Sequence, residues 1–69
     1  MKEVFLIIEK SYGVIGVARS ITGVVCCLAA DKWLTSEEIA LILEDGKREE
    51  VVEDNLEEFG IFLEKKILW

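Results

Sequence analysis

Histidine is absent from this chain. Its absence removes the commonest general base, a common nitrogen ligand for metals and the side chain that changes charge near neutral pH. Most hydrolytic machinery goes with it. Ser11, Ser20, Ser36, Thr22 and Thr35 stand in no pattern with a base. Neither a Gly-x-Ser-x-Gly elbow, a phosphate-binding loop nor a dinucleotide fingerprint occurs, and Gly13, Gly16 and Gly23 do not complete one. The expectation is a protein that is not an enzyme, with no catalytic residues and no cofactor.

Cysteine is scarce: only Cys26 and Cys27 are present, side by side. Neighbours on a helix point about 100° apart, so a disulfide between them is disfavoured. No Cys-x-x-Cys spacing exists, and a zinc site would lack both nitrogen ligands and enough thiolates. Both cysteines are expected to serve as small hydrophobes in the core. Asp45-x-Lys47-x-Glu49 has the outline of a calcium loop, but Gly46 directly follows Asp45 and two cations intrude, so no metal site is expected.

No secretory signal is read at the amino terminus, where only Lys2 precedes an apolar strand pattern, and a cytoplasmic protein is expected. Long apolar runs are missing too. Val14 to Ala30 is broken by Arg19, and the uninterrupted Ile21 to Ala30 is too short to span a bilayer, so no membrane partner is expected.

What remains is a chain of 69 residues with 52% hydrophobic content, read as one domain over 1–69. A domain this small buries only about 60% of the surface its unfolded chain exposes. So much apolar surface on so small a body points toward a homo-oligomer.

Charge is concentrated. Glu44 to Glu58 holds eight carboxylates, Glu44, Asp45, Glu49, Glu50, Glu53, Asp54, Glu57 and Glu58, against Lys47 and Arg48. The local sum of −6 equals the net charge of the whole chain, so everything outside this segment sums to zero.

Val4 to Ile8 and Val14 to Ala18 read as two strands of a hairpin whose polar linker contains Gly13. Val4, Leu6 and Ile8 oppose Phe5 and Ile7, and Val14 and Ala18 oppose Ile15 and Val17, so both faces are apolar. Strands of this kind are covered on both sides, by helices or by a second subunit. A helix capped by Ser20 or Thr22 should run through Ala30 to Leu34, nearly without a polar stripe, and hence lie centrally or at an interface. Trp33 is expected in the core beside Leu34; Trp69, the last residue, is read for neither core nor interface.

Thr35-Ser36-Glu37-Glu38 fits a capping box ahead of Ile39 to Leu43, which predicts a helix over 37–44. The alternative there is a strand, since Ile39, Leu41 and Leu43 alternate before Asp45-Gly46. From Glu49 the chain reads in doublets, a helical pattern. At about 100° per residue the acids at 49, 50, 53, 54, 57 and 58 span about 0° to 180°, and Val51, Val52, Asn55, Leu56 and Phe59 fall at about 200° to 340°. Gly60 supplies a left-handed stop, and Ile61 to Trp69 forms a strand with Ile61, Leu63, Ile67 and Trp69 on one face and Lys65 as the exception. The expected fold is α+β, a small antiparallel sheet made of the hairpin and the terminal strand, packed with helices in the order β-β-α-α-α-β.

Glu49, Glu50, Glu53, Asp54, Glu57 and Glu58 are therefore the candidate partner-binding residues. Like charges at i, i+4 cost roughly 0.2 to 0.5 kcal/mol each, which solvent, salt, Lys65 or Lys66, or a basic protein partner must offset. Direct nucleic-acid binding is not expected, because the eight Lys and Arg are scattered. A helix of carboxylates is also compatible with a mimic of DNA charge that occupies a nucleic-acid-binding protein. A self-assembling structural protein is the reading from a different class.

The opening MKEVFLIIEKSYGVIGVARS, a helix ending in Trp33-Leu34 and the closing FGIFLEKKILW together resemble small uncharacterised proteins encoded in phages and prophages of Gram-positive bacteria. The resemblance covers about the first half and the last strand, and it implies an accessory protein acting by contact, with no activity or site residue to transfer.

Overall fold

The computed structural model describes residues 2–68, so Trp69 lies outside the described residues. The protein is α+β: β1 (Lys2–Glu9), β2 (Gly13–Ala18), α1 (Ile21–Ala30), α2 (Ser36–Ile42), α3 (Glu49–Glu57) and β3 (Ile61–Leu68). The strands form one antiparallel sheet in the order β2-β1-β3. β1 is central because the amino-terminal strand finds both its hairpin neighbour and the returning β3, which satisfies its backbone groups on both edges. Among the described residues no helix is long and apolar enough to cross a membrane.

The hairpin turns at Gly13, whose φ of 86° is open to glycine at little cost. A register shift between Ile7 and Ile8 then leaves Ile15 between the pairs Ile7–Gly16 and Ile8–Val14. This bulge corrects the alternation read from the sequence. Val14 and Val17 share a face with Ile8 and Leu6, whereas Ala18 is buried opposite Phe5 and Ile15 packs against the core. One inserted residue moves every later side chain of a strand to the other face.

Ser20, not Thr22, caps α1, its side chain accepting from the Gly23 N–H at 3.0 Å. The helix ends at Ala30 rather than continuing to Leu34. Lys32 turns into the left-handed region at φ 59°, its N–H donates to Ala29 O at 3.2 Å and the Trp33 N–H donates to Leu28 O at 3.0 Å. That paired closure is a Schellman motif, and glycine is the residue it favours. Lys32→Gly is expected to stabilise the fold by about 0.5–1 kcal/mol, read as a higher urea midpoint; a lower midpoint would refute the strain. Beyond this turn Trp33 is half-buried against the core and meets the exposed Tyr12 ring edge-on at 5.2 Å.

The capping box forms, with Glu38 N–H donating to Thr35 Oγ1 at 3.1 Å and Thr35 N–H donating to Glu38 Oε1 at 2.8 Å. It decides the 37–44 stretch for a helix, α2, because two otherwise orphaned amides are satisfied there. The cysteines divide: Cys27 packs at the core's margin, but Cys26 is exposed, since a nearly all-apolar helix has more apolar residues than inward positions.

The core gathers Phe5, Ile7, Ala18 and Ile61 from one face of the sheet with Val24, Leu28, Leu34, Ile42, Val52 and Leu56 from the helical layer. All three helices contribute to it. Among the described residues the opposite face of the sheet receives no helix, so helices supply the expected cover of the hairpin strands on one side.

Candidate functional site

The acidic helix α3 is placed by its apolar side. Val52 and Leu56 are fully buried, Val51, Asn55 and Phe59 are half-buried, and Asn55 Nδ2 donates to Ile42 O at 2.9 Å. That hydrogen bond ties the last turn of α2 to the last turn of α3. The start of α3 is weakly determined in contrast, as Arg48 stands at the cap position and its side chain caps none of the first amides.

The six predicted carboxylates lie on this one helix or, for Glu58, at its C-cap, and the tertiary structure sorts them into groups. Glu49 reaches across to β3, where Lys65 Nζ donates to it at 2.8 Å. The same ammonium stands 5.8 Å from the centre of the Phe5 ring. This explains the one charged residue on the core face of β3. The hydrogen bond and charge of Glu49, with smaller help from Glu3 and Glu53, raise the Lys65 pKa above its ordinary value. A raised pKa makes the pair's contribution complete below the ordinary lysine range and lost as pH climbs through the raised value. Lys66 does not serve this role, since it lies on the other face of the sheet and meets Glu64 at 3.7 Å.

Glu50 meets Arg48 at 2.6 Å on the exposed side of the first turn, a contact of small worth between solvated charges. Glu53 is half-buried between these groups. Asp54, Glu57 and Glu58 are exposed and, among the described residues, have no ion-pair partner. The unneutralised charge of the helix is thus in its second half.

That half borders a cleft between α2 and α3 of about 310 Å³, lined by Leu41, Ile42, Glu44, Asp45, Asn55, Glu58 and Phe59. Glu44 and Asp45 lie outside the helical sector read from the sequence. The turn through Gly46, at φ 112°, brings them beside Glu58. The Asp45-Gly46 pair was the only signal of that reversal. A smaller and mainly apolar hollow of about 170 Å³ lies among Ile21, Thr22, Val25, Cys26, Leu43 and Lys47. It holds a thiol and an ammonium and no histidine to act on either. Among the described residues no three potential ligands converge as a metal site.

Fold and site together define a small α+β domain with one acidic helix and an acidic, apolar-floored cleft beside it. Comparison with protein-family models, with curated proteins and with solved structures finds no match.

Proposed function

We propose that the protein is a non-enzymatic accessory protein that works by contact, with the second half of α3 and the adjoining cleft receiving a basic segment of a protein partner. The observation that carries this reading is the division of the carboxylates. Glu49 and Glu50 have cations of their own, whereas among the described residues Asp54, Glu57 and Glu58 have none, and Glu58 shares its cleft with Glu44 and Asp45. Leu41 and Phe59 add an apolar floor on which the methylene stem of a lysine or arginine can lie. The resemblance to phage and prophage accessory proteins accords with such a role, and cytoplasmic partners are the ones this proposal addresses.

The test is charge reversal that leaves the Lys65 pair intact. Asp54→Lys, Glu57→Lys and Glu58→Lys together are expected to weaken binding of a captured basic protein about tenfold or more, with the wild-type affinity falling as salt rises. Retention of every captured protein by the triple variant would reduce the acidic face to a solubility device.

A further inference from the structure

The sheet face turned away from the helices is largely apolar, with Glu64 and Lys66 as charged residues among its hydrophobic ones. Register places Val4, Leu6 and Ile8 of β1 beside Val14, Val17 and Phe62 on this face, and none of the six belongs to the helix-packed core. Val14, Val17 and Phe62 are 58%, 53% and 42% exposed. Leu6 and Ile8 are half-buried and Val4 is buried at 4%, so the open surface is carried by Val14, Val17 and Phe62 with the exposed parts of Leu6 and Ile8, and such an apolar run across three strands marks an interface. We propose that this face seats a second copy of the chain, giving a two-fold dimer in which two sheets stack face to face between outer helical layers.

Three observations favour this occupant. The first is size. With strands about 4.8 Å apart and about 3.3 Å per residue, three strands present a footprint near 14 by 26 Å, so each copy buries on the order of 500 Å² with side-chain relief included. That is about a tenth of the chain's 4766 Å² and gives a total near the 1,000 Å² or so that a specific interface requires.

The second is charge. Glu64 and Lys66 both lie on this face, beside Leu6 and Val4. Antiparallel stacking of the two β3 strands about an axis next to Lys65 sets each Lys66 over the partner's Glu64 and each Val4 over the partner's Leu6. The arrangement is self-complementary, as a two-fold interface must be.

The third is the placement of the acids. Each chain carries −6, so association has to keep the α3 faces apart. α3 packs on the other side of the sheet, and stacking through the open face leaves the two acidic helices on opposite outer surfaces.

Sedimentation equilibrium from micromolar to millimolar concentration tests the proposal, and wild type is expected to approach twice the 7.8 kDa chain mass. Val17→Lys and Phe62→Lys each alter a solvent-exposed position and are expected to raise the dimer Kd about tenfold or more, with circular dichroism unchanged. Glu64→Lys or Lys66→Glu alone should weaken the dimer, and the double swap should restore it. The triple lysine variant of α3 should dimerise like wild type, which separates this interface from the proposed partner site. A wild-type chain that stays monomeric at every concentration overturns the dimer. So does a dimer that folded Val17→Lys and Phe62→Lys variants form with unchanged affinity.

Discussion

Leu56→Ala is expected to destabilise the protein by about 3 kcal/mol. Leu56 is 0% exposed and sits where α3 meets the sheet and the other helices. Removing its isobutyl group forfeits transfer free energy and leaves a void that a rigid helix cannot close by moving, since Asn55 is fastened to Ile42 O. A domain of this length has only about 3–10 kcal/mol in total, so this single truncation removes a large part of it. Urea denaturation followed by circular dichroism reads the loss as a lower midpoint. Leu41→Ala is the control, because Leu41 is 59% exposed and its truncation should change stability by less than about 0.5 kcal/mol. Equal losses in the two variants would mean that α3 does not present Leu56 inward.

Gly60→Val should cost about 2 kcal/mol. Gly60 has φ 75°, it follows the closing turn in which its N–H donates to Glu57 O at 3.0 Å, and its own carbonyl accepts from the Lys10 N–H at 3.0 Å. One residue therefore ends α3, starts β3 and tethers the loop between β1 and β2. A β-branched side chain is strained in the left-handed region, and the new Cβ would also meet the Lys10 stem at 3.0 Å. The lysine stem is flexible and can move aside, so the backbone accounts for most of the loss. Gly60→Asn should recover at least half of the deficit, because asparagine tolerates that conformation. A valine variant as stable as wild type would show that the chain can leave α3 by a right-handed turn.

The two sectors of α3 were legible in the sequence because helical periodicity is a local property. Acids at 49, 50, 53, 54, 57 and 58 and apolar residues at 51, 52, 56 and 59 separate by angle alone. So were the capping box at Thr35, the stop at Gly60 and the order of the six elements, each written in a few adjacent residues. Misreadings came where a non-local balance overrode a local pattern. The bulge at Ile15 turned Val14 away from Ala18, and the left-handed turn at Lys32 ended α1 four residues short of Leu34. Lysine carries no warning of that conformation, whereas glycine would.

By itself the sequence determined the three strands and the first and third helices, where the charge lies along the chain, and that the two hairpin strands are apolar on both faces. Tertiary structure alone decided which face of the sheet the helices cover, that Lys65 answers Glu49 while Lys66 does not, and that Glu44 and Asp45 join Glu58 at one cleft. The physical reason is that the two apolar faces of the hairpin strands are degenerate in pattern. Only the closure of the chain from β2 through three helices back to β3 commits those helices to one side.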